Sequence, residues 1–277
     1  MRIDIAGVGL DNHSKQQVLA EIKHILETGQ RKYLVTVYSE FIVFASKDEG
    51  YRKVLNEAYL SLPDGIGILW AAKFLSLPAV GNKFLKFVQV IWQAKYSLLA
   101  TLFWKKYIST VIREKVTGSK LIWDLAQLAS ENDYSLALVG GEDSVAAQTA
   151  YELKKIYPVL KVNLAMSGGI AFNDNTVAEI AASNSDILLI AYQPPKQEKW
   201  LAENLGKLNV KLAIGLGGTF DYVSGRRTPA PPLLYNLGLE WFWRLITQPW
   251  RWKRIWNAIP VFIWVVIKYK LTKSSPT

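Results

Sequence analysis

A chain of 277 residues, half of them hydrophobic, is long enough for one large domain or two small ones. It has no cysteine and only His13 and His24, which excludes disulfides and thiolate metal sites and argues against an imidazole metal cluster. The formal net charge is +10, but residues 226–277 carry nine Lys/Arg against one acid and so supply +8 of it, leaving the rest close to neutral.

The first residues, MRIDIAGVGLDNHS, lack the apolar run of a signal peptide, which predicts a cytoplasmic protein. From Lys32 to about Tyr222 short apolar runs alternate with helical stretches. Strands are predicted at Tyr33–Thr36, Ser135–Val139, Lys161–Ala165, Ile187–Ala191 and Lys211–Gly215. Helices are predicted at Ser46–Ala58, Ser119–Ser130, Ser144–Tyr157, Asn173–Ser183 and Gln197–Leu205, with Asp143 or Ser144 and Asn173 as caps. Apolar strands alternating with helices predict an α/β fold, a Rossmann-like parallel sheet with helices on both faces.

Two segments break the rhythm. In Phe84–Trp104, Lys86, Gln89, Gln93 and Ser97 form one narrow helical stripe and nearly everything else is apolar. Lys95 lies opposite the stripe and must snorkel. Two readings stand: a core helix or hairpin, or a helix lying in a membrane interface. The internal polar stripe argues against a transmembrane span. The second segment, residues 226–277, holds Trp241, Trp243, Trp250, Trp252, Trp256 and Trp264, six of the eleven Trp, beside its arginines. Arg with Trp suits a boundary between water and lipid, and favours a membrane surface over nucleic acid. Within Trp256–Leu271 the apolar run Ala258–Ile267 is too short to span a bilayer and is interrupted by Pro260. This end is either a helix packed on the sheet or an amphipathic anchor with Lys268, Lys270 and Lys273 facing lipid phosphates. The division that follows is an α/β core over 1–225, with an apolar helical insertion at about 82–112, and a basic appendage over 226–277.

In open α/β sheets ligands bind beyond the carboxyl ends of the strands. Gly140-Gly141 follows one strand and lets a ligand approach the backbone, but it is not the dinucleotide fingerprint. Gly217-Gly218, with Asp221 beyond, is a second glycine loop. Pro63-Asp64-Gly65 is ordinarily a plain turn. In an apolar cleft, however, the Asp64 carboxylate would have a raised pKa and act as a general base.

Five stretches, LPDGIGILWAAK, TGSKLIWDLA, AYQPPKQEKW, GLGGTFDYVSG and GLEWFWRLITQPWRWKR, together resemble the WecG/TagA/CpsF glycosyltransferases. The resemblance runs from about Ile3 to Arg254. It implies a GT-E type fold with a C-terminal helical appendage that reaches the membrane and closes the site. It implies an inverting, metal-independent transfer, without a cofactor, from a UDP-sugar, usually UDP-N-acetylmannosamine or its uronic acid. The implied acceptor is a polyprenyl-diphosphate-linked N-acetylglucosamine at the cytoplasmic membrane face. The products would feed teichoic acid, enterobacterial common antigen or exopolysaccharide.

By that likeness Asp64 is the general base and Thr36 positions substrate. Gln193 and Gln197 contact the nucleotide-sugar, and Glu198 is structural. Gly118, Gly140, Gly141, Gly217, Gly218 and Asp221 line the substrate pocket. Arg244, Arg251 and Arg254 match the appendage arginines, and without metal ligands such cations would stabilise a departing diphosphate. The chain departs from the family pattern at Tyr38, where asparagine is common, at Lys120, where aspartate is expected, and at Phe84–Trp104, an apparent insertion. Tyr38 and Lys120 leave the donor open between N-acetylmannosamine, its uronic acid, and glucose or another hexose. Arg113 or Lys115 supplies a basic residue before the Thr117-Gly118 turn. A homo-oligomer stays open, and so does a basic membrane-binding module without catalysis.

Overall fold

The computed structural model describes residues 2–167 and 174–273. The expected cap Asn173 lies outside them. The strands are β1 (Arg2–Ile5), β2 (Val8–Asp11), β3 (Lys32–Val37), β4 (Leu60–Pro63), β5 (Ser135–Gly140), β6 (Lys161–Met166), β7 (Ile187–Ala191) and β8 (Leu212–Gly215). β1 and β2 form an antiparallel hairpin, and the other six form one parallel sheet in the order β4-β3-β8-β7-β5-β6.

The sheet is parallel because its strands are apolar toward both faces. Successive residues point to opposite sides. Val35, Val37, Val139, Leu188, Ile190 and Ala213 enter one core, with Phe41, Ile68 and Leu201 from the helices over it. Leu34, Leu136, Leu138, Leu189 and Ile214 enter the other, with Val18, Ile22, Leu125 and Ala146. All five predicted strands are present with small shifts at their ends. β1, β2 and β4 were not legible, nor were the helices at Lys15–Thr28, Ser39–Ala45 and Ile66–Ser76. β4 is short and ends in proline, so it reads as part of a turn. The helix expected from Ser46 starts at Glu49, where Asp48 caps it by accepting the Tyr51 N–H at 2.9 Å.

The chain ends in helices at Glu240–Thr247 and Trp252–Trp256, a π-helical turn at Asn257–Val261 holding Pro260, and a helix at Phe262–Thr272. The run Pro249–Thr272, 24 residues, is the one helix among the described residues long and apolar enough to cross a membrane by length and composition. One side of it is nevertheless occupied by protein. Phe262 and Val266 are fully enclosed, and Phe262 meets Trp70 edge-on at 6.0 Å. Lys270, expected as one of three lysines facing lipid phosphate, is buried instead. Its ammonium donates to the Phe74 carbonyl and, at 2.7 Å, to Gln93 Oε1. Burial, with Lys86 nearby, pulls its pKa down to about 8. Lys268 and Lys273 are exposed, and Lys273 pairs with Asp4 at 3.5 Å. The terminal helix therefore packs mainly against the Ser39–Ala45, Ile66–Ser76 and Lys83–Phe103 helices.

Phe262→Ala is expected to lower stability by about 3 kcal/mol through the cavity it leaves. Chemical denaturation measures this; an unchanged midpoint would mean that the chain end is not part of the core.

Candidate active site

The carboxyl ends of β3, β4, β8, β7 and β5 share one edge of the sheet. The connection after β3 runs outward to β4, whereas that after β5 runs to β6 on the opposite side. Such divergence opens a crevice between the strand ends.

Asp64 follows β4 directly. Its N–H donates to the Val37 carbonyl at 2.8 Å, which fixes it beside the end of β3. Gly65 then takes φ 94°, a backbone state that favours glycine, and turns the chain into the Ile66–Ser76 helix. The Asp64 Oδ2 accepts the Gly118 N–H at 3.3 Å, from the first turn of the Gly118–Glu131 helix. A helix N-terminus favours the ionised carboxylate. Burial opposes it more strongly and, with Glu240 adding repulsion against Lys115 and Arg244, pushes the pKa up to about 6. Of the two basic residues before the Thr117-Gly118 turn, Lys115 is the one whose charge reaches Asp64, whereas Arg113, like Lys120, is exposed.

The last strands form the opposite wall. Thr36 is buried, and its hydroxyl donates to the Gly215 carbonyl at 3.1 Å, tying β3 to β8. Gln197 is buried; its Oε1 accepts the N–H groups of Tyr192 at 2.9 Å and Gly217 at 3.3 Å. Its Nε2 donates to Glu198 at 2.6 Å, and Glu198 also accepts the Tyr51 hydroxyl at 3.1 Å. Burial raises Glu198 to about 7. Gln197 and Glu198 thus brace the loops after β7 and β8 from behind, and Gln193 in the first of these loops is exposed. Gly140 takes φ 116° where a Cβ would lie 2.4 Å from the Ala191 carbonyl oxygen. Gly141 then donates its N–H to that oxygen at 3.0 Å. The first glycine pair therefore fits β5 tightly to β7. Gly217 sits at φ 51°, and Gly218 precedes the short Thr219–Val223 helix. A cleft of about 330 Å³ between Ser144 and Arg226 lies on this edge but is lined by neither Asp64 nor Arg244, Arg251 or Arg254.

The appendage brings cations to the crevice. Arg254 bonds Glu40 at 2.9 Å and the Tyr38 hydroxyl at 3.3 Å, where the chain leaves β3. Burial pushes that phenol well above its usual range. Arg244 pairs with Glu240, lies 5.4 Å from the Tyr222 ring centroid, and has a buried Nε without a hydrogen-bond partner among the described residues. Arg227, which the motifs did not single out, pairs with Asp221 at 3.0 Å. Arg251 has no carboxylate partner among the described residues, and Arg227, Arg254 and Arg244 all act on it. Burial and that repulsion pull its pKa down to about 10. The other three are each paired with a carboxylate, so Arg251 is the arginine of the group that an added anion would relieve. Among the described residues no group of three His, Asp or Glu is placed to hold a metal ion.

The model of the glycosyl transferase WecG/TagA/CpsF family matches residues 3–93 and 98–276. The chain belongs to that family. It is a glycosyltransferase, as its resemblance implied. The match leaves out only residues 94–97 of the segment expected as an insertion. The chain is 26% identical to an N-acetylglucosaminyldiphosphoundecaprenol N-acetyl-beta-D-mannosaminyltransferase of Bacillus subtilis, over 91% of this chain and 86% of the relative. It is 24% identical to a protein of the same description from Staphylococcus aureus, over 97% and 93%.

The raised pKa of Asp64 carries a stability consequence. Above about pH 6 the folded protein must hold an ionised, buried carboxylate, which favours unfolding; below the unfolded value of 3.8 both states are protonated and the penalty vanishes. Asp64→Asn is therefore expected to melt higher than wild type at pH 8, with the gap closing toward pH 4. Equal melting temperatures at pH 8 would contradict the buried charge.

Proposed function

We propose that the enzyme transfers N-acetylmannosamine from a UDP-sugar to N-acetylglucosamine on a polyprenyl diphosphate, with inversion at the anomeric carbon. The observation that carries this reading is the pairing of a buried carboxylate with a repelled arginine cluster on one sheet edge. A pKa near 6 leaves Asp64 ionised at neutral pH yet basic enough to take a proton. The acceptor hydroxyl loses its proton to Asp64 as its oxygen bonds the anomeric carbon. The bond from that carbon to the diphosphate breaks, and UDP departs with the electron pair. Arg251 and the free Nε of Arg244 stabilise the charge that develops on it. Arg254 is already engaged with Glu40, so its share is to hold the appendage closed. The donor set fits a transfer that needs no metal.

A polyprenyl acceptor lives in a membrane, and the relatives' described acceptor is undecaprenyl-linked. Trp250, Trp252 and Trp256 are exposed beside the arginines, which supports a peripheral seat on the cytoplasmic membrane face. Deleting the chain end would remove core residues along with that surface, so point substitutions are the appropriate probe.

Asp64→Asn, folded and membrane-bound, is expected to lower transfer at least about a hundredfold, the usual loss for a general base. In wild type, kcat/KM is expected to rise with pH through about 6. Mass spectrometry of the lipid product, with UDP-N-acetylmannosamine and polyprenyl-diphosphate-N-acetylglucosamine, measures both. Near-normal turnover by Asp64→Asn removes Asp64 from the mechanism.

A further inference from the structure

The Lys83–Phe103 helix is inside out. It has 21 residues and is about 30 Å long. Its buried side carries polar groups with dedicated partners. Lys86 donates to the Lys273 carbonyl at 2.7 Å, Gln93 to the Pro78 carbonyl at 2.8 Å, and the Ser97 hydroxyl accepts the Trp70 indole N–H at 2.9 Å. Its outer side is an apolar stripe along the whole length: Phe84, Val88, Trp92, Leu99 and Phe103 are 73%, 51%, 70%, 59% and 85% exposed. A helix on a water-facing surface has the reverse polarity. Polar groups turned inward with apolar groups outward is the arrangement that lipid selects.

The charge around this helix says which occupant fits. Between Asp64 and Glu114 the sequence has seven Lys/Arg and no acid. A second copy docking through this face would bring two such segments together with no carboxylate to pair them. An anionic lipid surface complements them. The stripe also continues onto the terminal helix, which packs against this one and exposes Trp264.

We propose that the outer face of the Lys83–Phe103 helix inserts into the headgroup–acyl boundary of an anionic bilayer, lying in the membrane plane. Lys83 stands at the start of the helix, and Lys95, within the apolar stripe, snorkels so that its ammonium reaches lipid phosphate. The helix thus joins the appendage tryptophans as a second, deeper contact. Binding of this kind needs no sugar transfer, so it stands or falls apart from the reaction proposed above.

The test is sedimentation of the full chain with vesicles of phosphatidylcholine alone and of phosphatidylcholine mixed with phosphatidylglycerol. Wild type is expected to bind the mixed vesicles. Trp92→Glu, and the combined change of Phe84, Val88, Trp92, Leu99 and Phe103 to Ser, are expected to weaken that binding at least about tenfold, in keeping with the lost apolar contact. Thermal melting with Phe262 and Trp70 still packed shows that the fold is kept, and Trp92→Glu serves alone if the combined variant does not fold. Transfer by Trp92→Glu to a short-chain, water-soluble acceptor is expected at the wild-type level; its loss would bear on the reaction, not on this surface. Wild-type vesicle binding by Trp92→Glu overturns the proposal, and so does a wild-type dimer that Trp92→Glu splits while still binding vesicles, which assigns the face to a second copy.

Discussion

The clasp between Arg254 and Glu40 joins the two ends of the chain's logic. Glu40 opens the helix that follows β3, and Arg254 comes from the far appendage. An ion pair with one partner buried contributes little net stability by itself, because desolvation offsets the attraction. Its value is positional. Breaking it would strand the Glu40 carboxylate, so the appendage is held where Arg244 and Arg251 face the sheet edge. Phe262 and Val266 reinforce this from the other side by seating the following helix in the core.

Two charges are left in unfavourable surroundings, one by burial and one by burial with like-charge repulsion. Asp64 is kept ionised at a cost in a place where burial favours the neutral acid. Arg251 is surrounded by arginines that lower its own pKa. A fold selected for stability alone would relieve each with a counter-ion from the protein. In the proposed reaction the relief is substrate: a proton from an acceptor hydroxyl for Asp64, and a diphosphate for the arginines. Gln197 and Glu198 show the contrasting case, a buried polar pair fully satisfied by protein and serving to brace the glycine loops.

Much of this was legible in the sequence. The apolar runs of β3, β5, β6, β7 and β8 announced a parallel sheet, because the two-sided burial that defines such a sheet leaves few polar residues in its strands. The motif around Asp64 and the arginines of the appendage were visible through likeness to a family. β4 was hidden by its four-residue length and terminal proline, although it is the strand that delivers Asp64. Arg227 was hidden because its role depends on a spatial neighbour, Arg251, not on spacing. The polar stripe of the Lys83–Phe103 helix was readable as a pattern, but its direction was not. Only packing shows that Lys86 and Ser97 face inward. Lys270 misled for the same reason: a lysine on an apolar helix reads as solvent-facing until a carbonyl and an amide are found around it.

The central claim is that appendage arginines, with no divalent cation, hold the diphosphate of the donor. Isothermal titration of UDP into wild type and Arg251→Gln, in buffer containing a chelator, tests it most directly. The account predicts that wild type binds under those conditions and that Arg251→Gln binds at least about tenfold more weakly, the loss of one charge-assisted contact. Binding that appears only when magnesium is restored, or that Arg251→Gln leaves unchanged, would contradict it.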